Sequence, residues 1–240
     1  AATRGMQGPP SNGGPNSYLG APDEHIIAQA KHFFAYGHGG REGRSAFIDE
    51  RTLMDVYGRP WFKAVNESGL RGVMASHNSV NYQPMHGSRL WLTQTLRERL
   101  GFGAGYIAAD ADDVQQLFVT HKVASSNEEA AVLAVRAGMD QDLNSLHNTP
   151  FSTLGKSSAA MKSQTLDAAI DRAAGNVLRM KFAAGLFDGQ MYANESLFSR
   201  RNSPEHRQLA RDVAADGIIL LKNAGDTLPL DAAKKTRIAL

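Results

Sequence analysis

Residues 72–110 read GVMASHNSVNYQPMHGSRLWLTQTLRERLGFGAGYIAAD. The stretch opens with a short apolar run, Gly72 to Ser76, of the length of one strand. Polar and turn-forming residues follow, Asn81 and Pro84 among them. Arg89 to Leu100 then has the length of a helix. Tyr106 to Ala109 is again short and apolar, and is built mostly of small residues. Strand, helix and strand in so short a stretch form the repeating unit of a parallel sheet covered by helices.

The same alternation extends in both directions. Upstream, Ile26 to Phe34 is a strand candidate. Asp49 to Gly69 is a helix candidate, with Leu53, Val56, Phe62 and Val65 as its apolar side. Downstream, Asn127 to Ala137 is expected as a helix with Asn127 as N-cap and Glu128 and Glu129 in its first turn. Gly138-Met139-Asp140 starts a fourth strand. Leu166 to Leu186 forms a long helix whose buried stripe is Leu166, Ile170, Ala173 and Val177. Four strand–helix units suit either an open doubly wound sheet or a (β/α)8 barrel. A barrel needs eight units, so on that reading half of it is absent.

The flanks differ in character. Residues 5–22 are rich in Gly, Pro, Ser and Asn and read as a flexible loop. Beyond Phe187 the chain is polar until Ser203-Pro204-Glu205, which reads as an N-cap followed by proline at the first helical position. An apolar run from Ile218 to Leu221 follows, and Arg237 to Leu240 looks like the start of another strand. The chain begins at Ala1 without a signal-like segment, which suggests a removed leader or a missing gene start.

Composition narrows the function classes. Apolar residues make up 42% of the 240, enough for a substantial core. Lys and Arg number 26 against 24 Asp and Glu, and no basic run is interleaved with aromatics, so nucleic acid is not an expected partner. Cysteine is absent, which excludes disulfides and thiolate metal sites. No apolar stretch approaches the roughly 20 residues that span a bilayer, so a membrane is not expected either.

In parallel α/β folds the chemistry gathers at the C-terminal ends of the strands. Those ends carry Lys31 and His32, then Met74 to Asn78, then Asp110, then Asp140 and Asp142. A Lys–His pair and several carboxylates around one mouth suit a polar, hydroxyl-rich substrate. A carboxylate there can serve as nucleophile or general acid. Asp112 and Asp113 read as solvated acids of a helix's first turn. Asp140 reads as structural, and Trp61 and Trp91 as packing residues. No H-E-x-x-H or similar ligand spacing is present among the histidines, and no glycine-rich phosphate loop follows a strand.

Several ordered motifs carry a resemblance. They are Ala30-Lys31-His32-Phe33 followed by Gly39-Gly40-Arg41; Ile48-Asp49-Glu50-Arg51-Thr52-Leu53; and Val73-Met74-Ala75-Ser76-His77-Asn78 with Pro84-Met85-His86. They continue with Leu100-Gly101-Phe102 and Tyr106 to Asp110; Ala137-Gly138-Met139-Asp140; and Arg211 to Leu230. Together, over about residues 25–240, they resemble glycoside hydrolase family 3. The resemblance implies an α/β fold with a (β/α)8-type barrel, of which this chain holds the last four strand–helix units, then a linker and an α/β sandwich domain. It divides the chain into a loop region 1–24, the C-terminal half of the barrel at 25–188, a linker with a helix at 189–235 and the start of the second domain at 236–240.

The implied activity is retaining hydrolysis of β-glucosides or β-xylosides. The implied nucleophile is Asp110, with Lys31, His32, Arg41, Met74 and His77 contacting the sugar. The acid/base Glu is expected from the second domain, and no metal or other cofactor is implied. The substrate would be a β-linked glycoside or oligosaccharide, and exposed barrel edges could associate with other segments. The resemblance favours a secreted or periplasmic protein. Three departures stand out: Ala109 and Ala111 flank Asp110 where the family often has Ser and an aromatic, His77 replaces a usual Tyr, and the acid/base residue is not in this chain. His38 invites comparison with a branch acting on N-acetylglucosaminides, but that branch's Asp-Ser-His signature is missing from residues 37–50. The alternative reading is a non-catalytic sugar-binding fragment.

Overall fold

The computed structural model describes residues 2–8, 25–38, 45–103, 105–143, 149–188, 195–231 and 233. Four parallel strands form one sheet in sequence order: β1 (Gln29–Phe33), β2 (Gly72–Ala75), β3 (Tyr106–Ala111) and β4 (Gln141–Leu143). Such an all-parallel order of successive βα units is that of a partial barrel. Gln29 pairs with Gly72, and Gly72 with Tyr106, so the strands start nearly level. Among the described residues β1 and β4 are the outer strands. Ser45–Ala46, Ser79–Val80 and Gln83–Pro84 make a small second sheet beside the strands' C-terminal ends.

The pleat decides which residues face the helices. Val73, Ala75, Ile107 and Ala109 belong to the main buried apolar cluster, with Leu92, Leu96, Phe102, Val114 and Ala134 from the covering segments. Met74, Ala108 and Asp110 alternate with them and therefore point to the opposite face of the sheet. Helical segments Leu90–Arg99, Asp113–Val119 and Asn127–Ala137 supply the cover. A second cluster joins Ala131 and Val135 to Leu154, Leu166, Ala169 and Ala173. Gly105 precedes β3 where a Cβ would lie 2.4 Å from the Arg71 carbonyl oxygen, so only glycine fits.

Several expected elements shift. Helix Asn127–Ala137 is capped by Ser126, not Asn127: the Ser126 hydroxyl accepts the Glu129 N–H at 3.2 Å, and Glu129 reaches back to the Ser125 N–H at 2.7 Å. The ladder of β4 starts at Gln141, one residue after Asp140. Helix Gln164–Ala183 buries Leu166, Ala169, Ala173, Asn176 and Met180, while Ile170 and Val177 are only half-buried.

The first helical stretch runs Glu50–Thr52, Leu53–Gly58 and Arg59–Asn66, started by Asp49 accepting the Thr52 N–H at 2.9 Å. Its middle portion has wider turns than an α-helix. A stripe projected at 3.6 residues per turn therefore falls out of phase, and Val56 and Phe62 are exposed whereas Leu53 is buried.

Gly5, Met6 and Gln7 do not belong to a loop: Ala2–Gln7 is helical. Gln7 anchors it, donating to the Gly69 carbonyl at 2.9 Å and accepting the Ala28 and Arg71 N–H groups at 3.1 and 3.2 Å. Residues 9–22 lie outside the described residues, as do 234–240.

By contacts the chain divides into Ala1–Met191 and Tyr192–Leu240. Within the second unit, helix Pro204–Asp216 begins as expected: the Ser203 hydroxyl accepts the His206 N–H at 3.3 Å, and Pro204 stands in the first turn. The apolar run Ile218 to Leu221 forms no strand and is exposed.

Candidate active site

The ends of β1, β2 and β3 are tied together before any site residue is considered. The Ser76 N–H donates to the Phe33 carbonyl at 2.8 Å, and its hydroxyl to the Phe34 carbonyl at 3.2 Å. These bonds hold the segment after β2 against the end of β1, so His77 and His32 come to one place. Their rings are 5.9 Å apart, and Tyr36 lies 5.1 Å from one and 5.5 Å from the other.

Asp110 ends β3 between the two imidazoles. His32 Nε2 and His77 Nε2 each approach its Oδ2 at 2.9 Å. Asp110 is 7% exposed. Its Oδ1 accepts the N–H of Ala111 at 2.8 Å, which leaves Oδ2 for the histidines. The ring N–H directions do not align with Oδ2, so these are close charge–dipole contacts rather than formed hydrogen bonds.

Two further groups lie behind this cluster. His77 Nδ1 is 2.7 Å from Asp113 Oδ2, and His86 Nε2 is 3.5 Å from the same oxygen. Asp113 is 2% exposed, which overturns the expectation that it is a solvated first-turn acid. It does open helix Asp113–Val119, but that helix starts directly at the end of β3, so its first turn faces the strand ends. Asp112 turns the chain with φ 64° and gives the helix no side-chain cap.

His86 accepts the backbone N–H of Asp110 at 3.1 Å through Nε2. Complete burial pushes its pKa down to about 3, with the charges of His77 and His121 acting in the same direction. The ring is therefore neutral at pH 7, with its proton on Nδ1, and its approach to Asp113 is no ion pair. The His32 pKa is also lowered, first by burial and then by the Lys31 charge, against the opposing pull of Asp110.

The other expected contacts are placed as follows. Lys31 is exposed beside His32 on β1. Met74 is buried on β2, outside both apolar clusters and on the face that carries Asp110. Arg41 lies outside the described residues, as do Gly39 and Gly40. His38 contacts the Tyr57 hydroxyl at 2.9 Å. A groove of about 520 Å³ runs along Lys31, His32, Tyr36, Tyr57 and Trp61. It reaches the cluster at His32 but is not lined by Asp110. Trp61 packs edge-on against Phe33 at 5.1 Å and Trp91 against Phe34 at 5.6 Å.

Asp140 is wired differently. Its carboxylate accepts from Arg97, from the Ile107 N–H at 2.8 Å and from Asn176 Nδ2 at 3.0 Å. Burial raises its pKa, against the lowering effect of Arg97 and these hydrogen bonds. It joins β3 to the long helix, and among the described residues none of these donors also meets Asp110. Asp142 is half-buried, accepts the Phe151 N–H at 3.3 Å and has its pKa raised by burial.

Known proteins match this chain in sequence and in fold. The family described as "Glycosyl hydrolase family 3 N terminal domain" matches residues 2–180. The chain belongs to glycosyl hydrolase family 3. A putative β-xylosidase of Formosa agariphila is 38% identical over 218 residues, covering 90% of this chain and 28% of that protein. Among solved structures, a β-glucosidase from Erythrobacter marinus superposes with TM-score 0.85 at 35% identity, over 95% of this chain and 29% of that one. A Listeria innocua β-glucosidase in complex with gluconolactone gives TM-score 0.81 at 26% identity, over 95% of this chain and 30% of that one. The chain thus spans less than a third of the length of these family 3 relatives.

The sequence reading gave Asp113 only a solvated helix-end role and gave His86 none. A carboxylate three residues after Asp110, with a helix starting between them, was the available signal for Asp113. His86 stands inside the Pro84-Met85-His86 motif but carried no role of its own.

Proposed function

We propose that the protein is a retaining β-glycosidase for β-glucosides or β-xylosides, with Asp110 as nucleophile. The observation that carries this reading is the position of Asp110 Oδ2: buried at the strand ends, flanked by two imidazoles, and with no Lys or Arg ion pair among the described residues. A carboxylate with no guanidinium or ammonium partner keeps its negative charge available for the anomeric carbon. Attack forms the ester bond from Oδ2 to that carbon as the bond to the leaving oxygen breaks. Water later hydrolyses the ester, so the configuration is retained.

His32 and His77 are placed to exchange hydrogen bonds with sugar hydroxyls next to that carbon, because each ring nitrogen can donate or accept. Lys31 offers donors at the edge of the groove, Met74 supports the sugar's apolar face, and Arg41 is kept as a contact from the loop after β1. The departing oxygen needs a proton from a carboxyl group about 5–5.5 Å from the nucleophile. Asp113 does not suit that task, since it is buried behind His77. A Glu from the domain that follows in the family is the proposed donor. On this reading 25–188 is the C-terminal half of the barrel, 189–235 the linker and 236–240 the start of the next domain. The outer strands β1 and β4 then pair with the rest of the barrel.

The test is intact mass after incubation with a 2-deoxy-2-fluoro-β-glucoside, and separately the xyloside, carrying a dinitrophenyl leaving group. That leaving group needs little acid assistance, and the fluorine slows breakdown of the ester. An added fluoroglycosyl mass that maps to Asp110 and is absent in Asp110→Asn is expected. A folded protein that gains neither adduct leaves a sugar-binding fragment as the better reading.

A further inference from the structure

We propose that His32 Nε2, His77 Nε2 and Asp110 Oδ2 form a binding site for a divalent transition-metal ion of the Zn2+ type. Nothing in the glycosidase reading calls for such an ion, and the site's affinity does not depend on that reading. The three atoms lie within 4.8 Å of one another. They come from the ends of three adjacent strands, so the sheet itself fixes their spacing. Oδ2 stands 2.9 Å from each nitrogen. Ligands at the usual zinc distances sit about 3.3 Å apart around a tetrahedral ion, so Oδ2 has to move only a few tenths of an ångström from each nitrogen.

The surroundings of Asp110 suit a cation at the centre. Asp110 Oδ2 is buried and receives no aligned hydrogen bond, although both Nε2 atoms stand 2.9 Å from it. Asp113 Oδ2 lies behind His77, 2.7 Å from Nδ1. One cation among the three atoms satisfies the buried oxygen, and two carboxylates so close to it favour a dication.

The outer surroundings follow metal-site practice. Carboxylate behind imidazole is the arrangement that orients histidine ligands and raises their basicity. Ala111 holds Oδ1 at 2.8 Å, which favours a single bond from Oδ2. The two histidine side chains are 21% and 22% exposed, so a further position is open to water. Two imidazoles and one carboxylate select zinc, cobalt, nickel or copper over magnesium or calcium, which prefer all-oxygen sites. An ion bound here occupies the oxygen that the proposed nucleophile needs, so it excludes the sugar chemistry. That consequence alone rests on the glycosidase reading.

The experiment is titration of EDTA-stripped full chain with Co2+, followed by displacement with Zn2+. One equivalent with the intense visible bands of low-coordinate Co2+ is expected. Asp113→Asn should weaken binding about 10–100-fold, and His32→Gln and His77→Gln should weaken it further. X-ray absorption on the zinc-loaded wild type should show two imidazoles, which covers the case of a variant that does not fold. Absence of the Co2+ bands from folded wild type overturns the proposal, as does binding that survives both histidine substitutions. Fluoroglycosyl labelling with and without Zn2+ separates the two readings. Metal binding without any adduct in EDTA defeats the glycosidase and leaves the metal site. An adduct without metal binding does the reverse.

Discussion

Asp110 and Asp140 are both buried aspartates on neighbouring strands, Asp110 near the C-terminal end of β3 and Asp140 directly before β4, and their surroundings are opposite. Asp140 is met by Arg97, the Ile107 N–H and Asn176, with Arg172 Nε 3.9 Å away. Asp110 is met by two imidazoles and no permanent cation among the described residues. A buried charge with full compensation is part of the framework, whereas one whose oxygen is kept clear of Arg and Lys is available for chemistry. Substitutions at the two positions should therefore fail in different assays.

The largest effect is expected at Asp110. Asp110→Asn keeps the shape but removes the nucleophile. The rate of fluoroglycosyl labelling should drop by about 10^4-fold or more, a loss of the size seen when covalent nucleophiles are removed. The urea midpoint of the same protein should hardly change. A variant that still acquires the label at the wild-type rate would erase the contrast, because another residue would then be the nucleophile.

Asp140→Asn should behave the other way. It leaves the Arg97 charge buried without its partner, at an expected cost of about 3–5 kcal/mol in urea unfolding. Replacing Arg97 and Asp140 together with apolar residues should cost less than the single change, because no charge is then stranded. If the single substitution is neutral, Asp140 is not the structural member of the pair.

How legible these two roles were in the sequence follows from their geometry. The parallel sheet could be read because strand-length and helix-length apolar patterns alternate, and that is a local property. Asp110 could be read because it ends a strand pattern and sits in an ordered set of motifs. The partners of Asp140 could not, since Arg97 and Asn176 are brought to it only by the packing of two helices. Asp113 was misread for a related reason: acids in a first helical turn usually face water, but this helix starts on top of the strand ends. Of the stripe Leu53, Val56, Phe62 and Val65, only Leu53 and Val65 reach the core, because the wide turns at Leu53–Gly58 alter the period on which such a projection rests. The departure at position 77 was visible as His in place of Tyr. Its meaning appears only when Asp113 is found 2.7 Å behind it.

A smaller effect tests the support beneath Asp110. His86 has a folded pKa of about 3 against an ordinary value of 6.5. Between those values the unfolded chain binds a proton that the folded chain does not. The contribution of the neutral ring is therefore complete above pH 6.5 and is lost progressively as pH falls toward 3. At about 1.4 kcal/mol per unit, the loss at pH 5 is about 2 kcal/mol. His86→Gln should flatten this slope between pH 7.5 and 5 in urea titrations, relative to wild type. An unchanged slope would mean that His86 does not hold Asp110 in place as a neutral acceptor.

The smallest effect concerns how two neighbouring helices begin. Helix Asn127–Ala137 is capped by the Ser126 hydroxyl, and Ser126→Ala should cost about 1 kcal/mol. Helix Asp113–Val119 has no side-chain cap, because its first acid is turned toward His77. A first-turn carboxylate used this way gives up capping in order to orient an imidazole. Asp113→Asn should then lower stability by less than the Ser126 change while slowing the labelling of Asp110, which Ser126→Ala leaves unaffected. Measuring both variants by unfolding and by labelling decides the point: a stability loss at Asp113 larger than that at Ser126, with labelling intact, would place Asp113 with Asp140 in the framework.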